Sequence, residues 1–108
     1  MNPQIFVIED VPEMANLVSM YLSKAQMDAH TFGTAEEALD ELAKGTLPDL
    51  VILDLNLPGM SGFEFLEKFR ADYKTTVPVV IVSARDADED INSGLGFGAD
   101  EFVTKPFS

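Results

Sequence analysis

Acidic, hydroxyl and amine side chains lie at the ends of apolar runs that are typical of β-strands. Glu9 and Asp10 follow residues 4–8, Asp54 follows 50–53, Ser83 follows 79–82, and Lys105 follows 101–104. If these runs are parallel strands of one open α/β sheet, their carboxyl ends meet at a single crevice, where such folds bind ligands. Three carboxylates in one crevice repel each other without a counter-charge. The pattern therefore predicts a bound divalent cation, with Lys105 nearby.

The chemistry that this arrangement could carry is phosphoryl transfer to Asp54. A carboxylate beside a metal ion can attack a phosphoryl group and form an aspartyl-phosphate. Alone, Asp54 could equally be a turn or helix-capping acid, but its companions favour a nucleophile. A hard, octahedral Mg²⁺ prefers oxygen ligands. The predicted ligands are the carboxylates of Glu9, Asp10 and Asp54 and the backbone carbonyl of Asn56.

Positive and hydrogen-bonding groups are also needed, because charge spreads over the phosphoryl oxygens during transfer. Lys105 can neutralise one of these oxygens, and the Ser83 hydroxyl can donate a hydrogen bond to another. We therefore predict catalytic roles for Asp54, Lys105 and Ser83.

Length and composition predict a single domain, spanning residues 1–108. The chain has no cysteine, which excludes disulfides and thiolate metal sites, and no apolar run approaches the roughly 20 residues of a membrane span. No signal peptide is visible, so a cytoplasmic location is the default. The net charge of −12 opposes direct binding to nucleic acid or to anionic membranes.

The apolar periodicity predicts helices between the strands. Pro12 suits the first turn of a helix, whose apolar stripe comprises Met14, Leu17, Val18, Tyr21, Leu22 and Ala25. Thr34 with Glu37, and Ser61 with Glu64, are predicted capping boxes. A weaker fourth helix is predicted near residues 87–97. The resulting βαβαβαβαβ pattern is that of a doubly wound α/β fold.

Four segments of the chain resemble the receiver domain of two-component response regulators, and the likeness runs from Gln4 to Phe107. The matching segments are Val7-Ile8-Glu9-Asp10, residues 54–62, Ser83-Ala84-Arg85, and residues 98–107. The resemblance implies a flavodoxin-like, five-stranded parallel sheet of order 2-1-3-4-5. It also implies that Asp54 accepts a phosphoryl group from a sensor histidine kinase in a Mg²⁺-dependent reaction. Such a domain is a signalling module that catalyses only its own phosphorylation and dephosphorylation.

The same resemblance assigns Ser83 and Phe102 as a switch pair. In the family, the hydroxyl moves toward the phosphoryl group and the aromatic ring turns inward behind it. Phe102 could also be an ordinary core aromatic, and His30, the only histidine, is interpreted as a partly exposed strand residue.

The chain departs from the family pattern at three places. Glu9 stands where Asp is commoner, which should leave Asp10 as the direct metal ligand. Val11 stands where a capping Asp is frequent, and Val is a poor N-cap. The fifth helix is expected to be missing, because the sequence ends at Ser108. An apolar strip on one sheet face should then be uncovered, which favours self-association. A C-terminal effector domain, absent from this chain, is a further predicted partner.

Two other functions are open from the residues. A Mg²⁺-dependent phosphohydrolase with an aspartyl nucleophile typically has a second Asp two residues later, where this chain has Asn56. A mononucleotide-binding flavodoxin-like protein would need a phosphate-cradling loop after the first strand. That loop here is acidic and lacks glycine, since it reads Glu9-Asp10-Val11-Pro12.

Overall fold

The computed structural model describes residues 2–73, 76–83, 96 and 99–104. Strands and helices alternate along the chain as the sequence predicts, and three helices lie in these ranges. Their bounds are β1 Gln4–Ile8, α1 Pro12–Lys24, β2 Asp28–Phe32, α2 Ala35–Ala43, β3 Leu50–Leu53, α3 Gly62–Tyr73, β4 Val79–Ser83 and β5 Glu101–Thr104. The predicted fourth helix, near 87–97, lies outside the described residues except for Gly96.

All five strands form one parallel sheet in the order β2-β1-β3-β4-β5. The predicted flavodoxin-like strand order is thereby confirmed. Each parallel pairing needs a crossover, and the helices supply it for the first four strands. The strand order reverses between β1 and β3, which places the ligand crevice of such a sheet at their carboxyl ends.

The larger part of the core lies on the sheet face that packs against α2 and α3. Strand residues on this face alternate with those on the other, as the twofold period of a strand requires. Fully buried residues on this face are Phe6, Ile8, Val51, Leu53, Val79 and Ile81 from the strands, Ala35 and Ala38 from α2, and Phe65, Leu66 and Phe69 from α3.

Helix α1 covers the opposite face over β1, where Ile5, Val7 and Val18 form a smaller buried cluster. The predicted stripe of α1 is only partly correct. Leu17 and Tyr21 are 38% and 54% exposed, respectively. Because this helix contacts the sheet along a narrower band than its apolar side chains span, the flank that carries Leu17 and Tyr21 faces solvent.

The same sheet face carries half-buried apolar side chains on the other strands. Val80 and Val82 of β4, and Val103 of β5, point away from α2 and α3 and are each only partly buried. These are residues of the predicted apolar strip.

The helix ends confirm the predicted capping signals. The Glu37 N–H donates to Thr34 Oγ1 at 3.1 Å, and the Glu64 N–H donates to Ser61 Oγ at 3.2 Å. Val11, at the N-cap of α1, makes no side-chain capping hydrogen bond. None of the helices in the described ranges is long and apolar enough to cross a membrane.

Polar side chains from β1, β2 and the N-terminus form a network at β2, which is one of the two edge strands. Asp28 accepts hydrogen bonds from the Asn2 amide at 3.2 Å and from the Gln4 amide at 3.0 Å. His30 Nε2 lies 2.6 Å from Gln4 Oε1, which can only accept. The hydrogen bond from Gln4 and, to a smaller extent, that from Asn2 lower the pKa of the Asp28 carboxyl. The side chain of His30 is exposed, as the sequence suggests.

Arg70, near the end of α3, joins three elements at the amino ends of β4 and β5. Its Nη1 donates to the Val77 carbonyl at 2.7 Å, and its Nη2 donates to Asp100 Oδ2 at 3.1 Å. The same Asp100 oxygen accepts the Val79 N–H at 2.8 Å. The guanidinium, on a side chain that is 21% exposed, therefore fixes the starts of both strands to α3.

Arg70→Ala is expected to lower the free energy of unfolding by about 2 kcal/mol, because it removes charge-assisted hydrogen bonds that are partly shielded from water. A loss of that size lowers the melting temperature of a domain this small by about 10 °C. Thermal and urea unfolding of purified variants would measure both. Lys68→Ala is the control, since Lys68 pairs with Asp72 on the same helix in a contact that is about half exposed. Its cost should stay below about 0.5 kcal/mol. Equal losses in the two variants would contradict this role for Arg70.

Candidate functional site

The predicted acidic cluster lies at the carboxyl ends of the neighbouring strands β1 and β3. Ile8 and Leu53 are register partners in the β1–β3 pair, so Glu9 and Asp54, the residues that directly follow these strands, are neighbours. One carboxylate oxygen from each of Glu9, Asp10 and Asp54 lies within 4.8 Å of the others. The structure thus brings together three acids, the first and last of which are 45 positions apart in sequence.

The spacing of these oxygens fits a small divalent cation. Mg²⁺ binds oxygens at about 2.1 Å, so two ligands on opposite sides of the ion lie about 4.2 Å apart. Oxygens within 4.8 Å of one another need only a small contraction to reach that geometry. All three donors are hard carboxylate oxygens, and no thiol or imidazole takes part in this cluster. The donor set therefore suits Mg²⁺ rather than a softer metal.

Backbone hydrogen bonds hold the two buried acids in place. The Glu9 N–H donates to the Phe32 carbonyl at 2.9 Å, and the Asp54 N–H donates to the Ile8 carbonyl at 3.0 Å. Glu9 and Asp54 are 7% and 6% exposed, whereas Asp10 is exposed. The Glu9 carboxylate also accepts the Val11 N–H at 3.2 Å, at the entrance to α1. Each carboxylate of the buried pair is thus carried on a backbone that the sheet already fixes.

The loop after Asp54 folds back on the aspartate. The Asn56 N–H donates to Asp54 Oδ1 at 3.1 Å, which orients the carboxylate and places Asn56 beside it. The loop closes where the Gly62 N–H donates to the Leu55 carbonyl at 3.1 Å. The predicted metal ligand at Asn56 is its carbonyl, which belongs to this same short loop.

Gly62, the first residue of α3, lies against the backbone of Asp54. A Cβ atom at position 62 would clash with the Asp54 carbonyl oxygen and would lie 2.8 Å from Leu55 Cα. Only glycine allows this approach, because any side chain would push α3 away from the strand end. The sequence signal for this contact is the glycine after the Ser61 cap, but nothing in the local pattern predicts its partner.

The two predicted switch residues lie on neighbouring strands. Ser83, fully buried, is the last residue of β4 and pairs with Thr104 of β5. Phe102 pairs with Ile81, two residues earlier, and packs half-buried against the main core cluster. The two side chains therefore share one face of the sheet, two residues apart in register. Lys105 and Arg85 lie outside the described residues.

Comparison with known proteins extends over almost the whole chain. The sequence profile of a family described as "Response regulator receiver domain" matches residues 5–108. Among curated proteins, Regulatory protein VanR of Enterococcus faecium is 38% identical over 107 residues, which are 99% of this chain and 45% of VanR. The chain thus spans about half the length of the curated relatives it matches.

Solved structures give the same result for the fold. The receiver domain of the Francisella response regulator 1452 superposes with a TM-score of 0.89 at 30% identity, covering 99% of this chain and 87% of that domain. The BeF3-activated N-terminal receiver domain of Klebsiella pneumoniae RstA superposes with a TM-score of 0.88 at 30% identity. That match covers 97% of this chain and 87% of the RstA chain.

Proposed function

The chain belongs to the family of response regulator receiver domains, and from this premise we propose that Asp54 is its phosphoacceptor. The observation that carries the proposal is the cluster of Glu9, Asp10 and Asp54, in which a buried aspartate at a strand end shares a possible cation site with two further acids. A phosphorylated Asp54 would act as the on state of a signalling switch.

Glu9, Asp10, Asp54 and the Asn56 carbonyl would hold Mg²⁺ at this site. When bound, the ion neutralises negative charge on the carboxylates and on the phosphoryl oxygens. Within the pair that follows β1, the exposed Asp10 is the proposed direct ligand, and Glu9 would act mainly from outside the ligand set. The Asn56 N–H bonds Asp54 Oδ1 and holds the carboxylate, which is the proposed nucleophile.

In the proposed reaction, an Asp54 carboxylate oxygen attacks the phosphorus atom of a phosphohistidine on a sensor kinase. An O–P bond forms to Asp54 as the N–P bond to imidazole breaks, and the histidine nitrogen keeps the bonding electron pair. The Lys105 ammonium and the Ser83 hydroxyl would then bind phosphoryl oxygens. Lys105 is assigned by its position directly after β5.

Ser83 and Phe102 would carry the signal away from the site. When the Ser83 hydroxyl moves toward the phosphoryl group it leaves space on its face of the sheet, and the half-buried Phe102 ring can turn into that space. The shared face and the two-residue offset of these side chains support the coupling. The downstream binding partner would recognise the altered surface of β4 and β5.

The proposed partners follow from this role. A sensor histidine kinase supplies the phosphoryl group, and a C-terminal effector domain in the whole protein receives the signal. We propose a cytoplasmic location and no direct contact with nucleic acid, consistent with the net charge of −12. The half-buried Val80, Val82 and Val103 supply an apolar surface for self-association.

A Mg²⁺-dependent phosphohydrolase is not favoured. That activity needs an acid/base group near the nucleophile to activate water, and the residue two positions after Asp54 is Asn56, whose neutral amide side chain cannot fill that role. A receiver should therefore accumulate one phosphoryl group per chain, whereas a hydrolase would turn over repeatedly.

The test is to incubate the protein with Mg²⁺ and either a small acyl phosphate or fluoroberyllate, which mimics a phosphoryl group on an aspartate oxygen. We expect fluoroberyllate to bind with one-to-one stoichiometry in calorimetry, only when Mg²⁺ is present. With acyl phosphate, intact-mass spectrometry should show one added phosphoryl group. Steady release of many phosphate ions per chain, without a labelled protein, would instead support the hydrolase.

A further inference from the structure

Glu36, in the first turn of α2, contacts the loop that connects Asp54 to α3. Its Oε2 accepts the N–H of Met60 at 3.3 Å, from a residue 24 positions away. This loop begins at the Asn56–Asp54 hydrogen bond and ends where Gly62 bonds Leu55. The contact from Glu36 therefore holds the far part of the loop from a different element of the fold.

Gly59, the residue before Met60, lies close to the same carboxylate. Its φ of +74° lies in the left-handed region, which residues with a side chain rarely adopt. A Cβ at this position would also lie 2.7 Å from Glu36 Oε2. With no Cβ at position 59, the Glu36 carboxylate can lie this close to the loop, whereas a Cβ there would make the carboxylate rotate away.

The first turn of α2, which carries Glu36, is held in place by core packing and by a helix cap. Ala35 and Ala38, on either side of Glu36, are fully buried against the main core cluster, and the Thr34 hydroxyl caps the helix. An acid in the first turn is also favoured by the partial positive charge of a helix N-terminus. The backbone of Glu36 is therefore fixed, and its exposed side chain reaches the loop from there.

From these contacts we infer that Glu36 is a positioning residue for the metal site. By accepting the Met60 N–H, it limits the conformations of the loop that carries the Asn56 carbonyl, the proposed metal ligand. Glu36 acts through the loop and is not itself a ligand. This inference rests on the proposed function, because it needs Mg²⁺ to bind at the cluster of Glu9, Asp10 and Asp54.

The test compares Mg²⁺ affinities by NMR titration of wild type, Glu36→Ala, Glu36→Gln and Glu37→Ala. Glu36→Ala should weaken binding about threefold to tenfold, because groups that orient metal ligands affect affinity from outside the ligand set. Glu36→Gln should stay within about twofold of wild type, since its amide oxygen can accept the same hydrogen bond. Glu37→Ala is the matched control: it removes the same charge from the same turn, but Glu37 bonds Thr34 instead of the loop.

A second measurement tests the contact without metal. Hydrogen exchange of the Met60 amide in the metal-free protein should be about five to ten times faster in Glu36→Ala than in wild type or Glu36→Gln. Unchanged exchange in Glu36→Ala would overturn the inference, as would equal Mg²⁺ affinities. Equal weakening by Gln and Ala would overturn it as well, since charge rather than the bond would be responsible. If wild type failed to bind Mg²⁺, the proposed function would fail, while the exchange rates would still decide whether Glu36 holds the loop.

Discussion

Asp54→Asn is expected to abolish phosphorylation of the protein. The amide nearly matches the carboxylate in size and keeps an oxygen to accept the Asn56 N–H, so the loop should stay in place. It carries no negative charge and is a far weaker nucleophile, so formation of the acyl phosphate should fall below detection. Intact-mass spectrometry after incubation with acyl phosphate and Mg²⁺ would measure the label on each variant.

Asp40→Asn is the control for this experiment. It makes the same chemical change at an exposed acid of α2, outside the cluster of Glu9, Asp10 and Asp54. This variant should be labelled like wild type. Undiminished labelling of Asp54→Asn would place the phosphoacceptor elsewhere and overturn the assignment of the site.

Mg²⁺ is expected to stabilise the fold through the acidic cluster. A cation that binds only the native state raises the free energy of unfolding by about 2.7 kcal/mol at a hundred times its dissociation constant. Asp10→Ala should remove most of this response, because it deletes the proposed direct ligand. The same variant should be more stable than wild type without metal, since two neighbouring carboxylates repel each other less than three do.

Melting temperatures measured across a Mg²⁺ titration would test both parts of this expectation. Glu13→Ala is the control, because Glu13 lies close by in the first turn of α1 but is not a member of the cluster. Its melting temperature should rise with Mg²⁺ as in wild type. A rise of the same size in Asp10→Ala would mean that the ions stabilise another part of the protein.

The features that the sequence predicts correctly are those set by residues close together in the chain. The apolar runs before Glu9 and Asp54 are nearly continuous, as expected for strands that helices cover on both sides, so their ends could be located to the residue. Parallel pairing then placed the three acids together. The sequence predicts the capping residues Thr34 and Ser61 equally well, because a cap bonds backbone groups within one turn.

Contacts between distant segments cannot be predicted from the local sequence pattern. Arg70 and Asp100 are 30 residues apart, and nothing local to either residue indicates the other. The same holds for Glu36 and Met60. The exposure of Leu17 and Tyr21 also differs from what their place in the apolar stripe predicts, because a helical stripe gives the direction of the apolar face but not how far the neighbouring sheet extends beneath it.

The polar network on β2 has a consequence for solubility. β2 is an edge strand, and the free backbone groups of an edge strand can pair with a strand of another molecule, which is a route to aggregation. Asp28 places a charge at this edge, and the hydrogen bonds from Gln4 and Asn2 hold it there. Because these bonds lower its pKa, Asp28 stays ionised at a lower pH than an ordinary aspartate does. The β2 edge therefore keeps its protection against intermolecular β-pairing in mildly acidic solution, where unperturbed carboxylates begin to lose their charge.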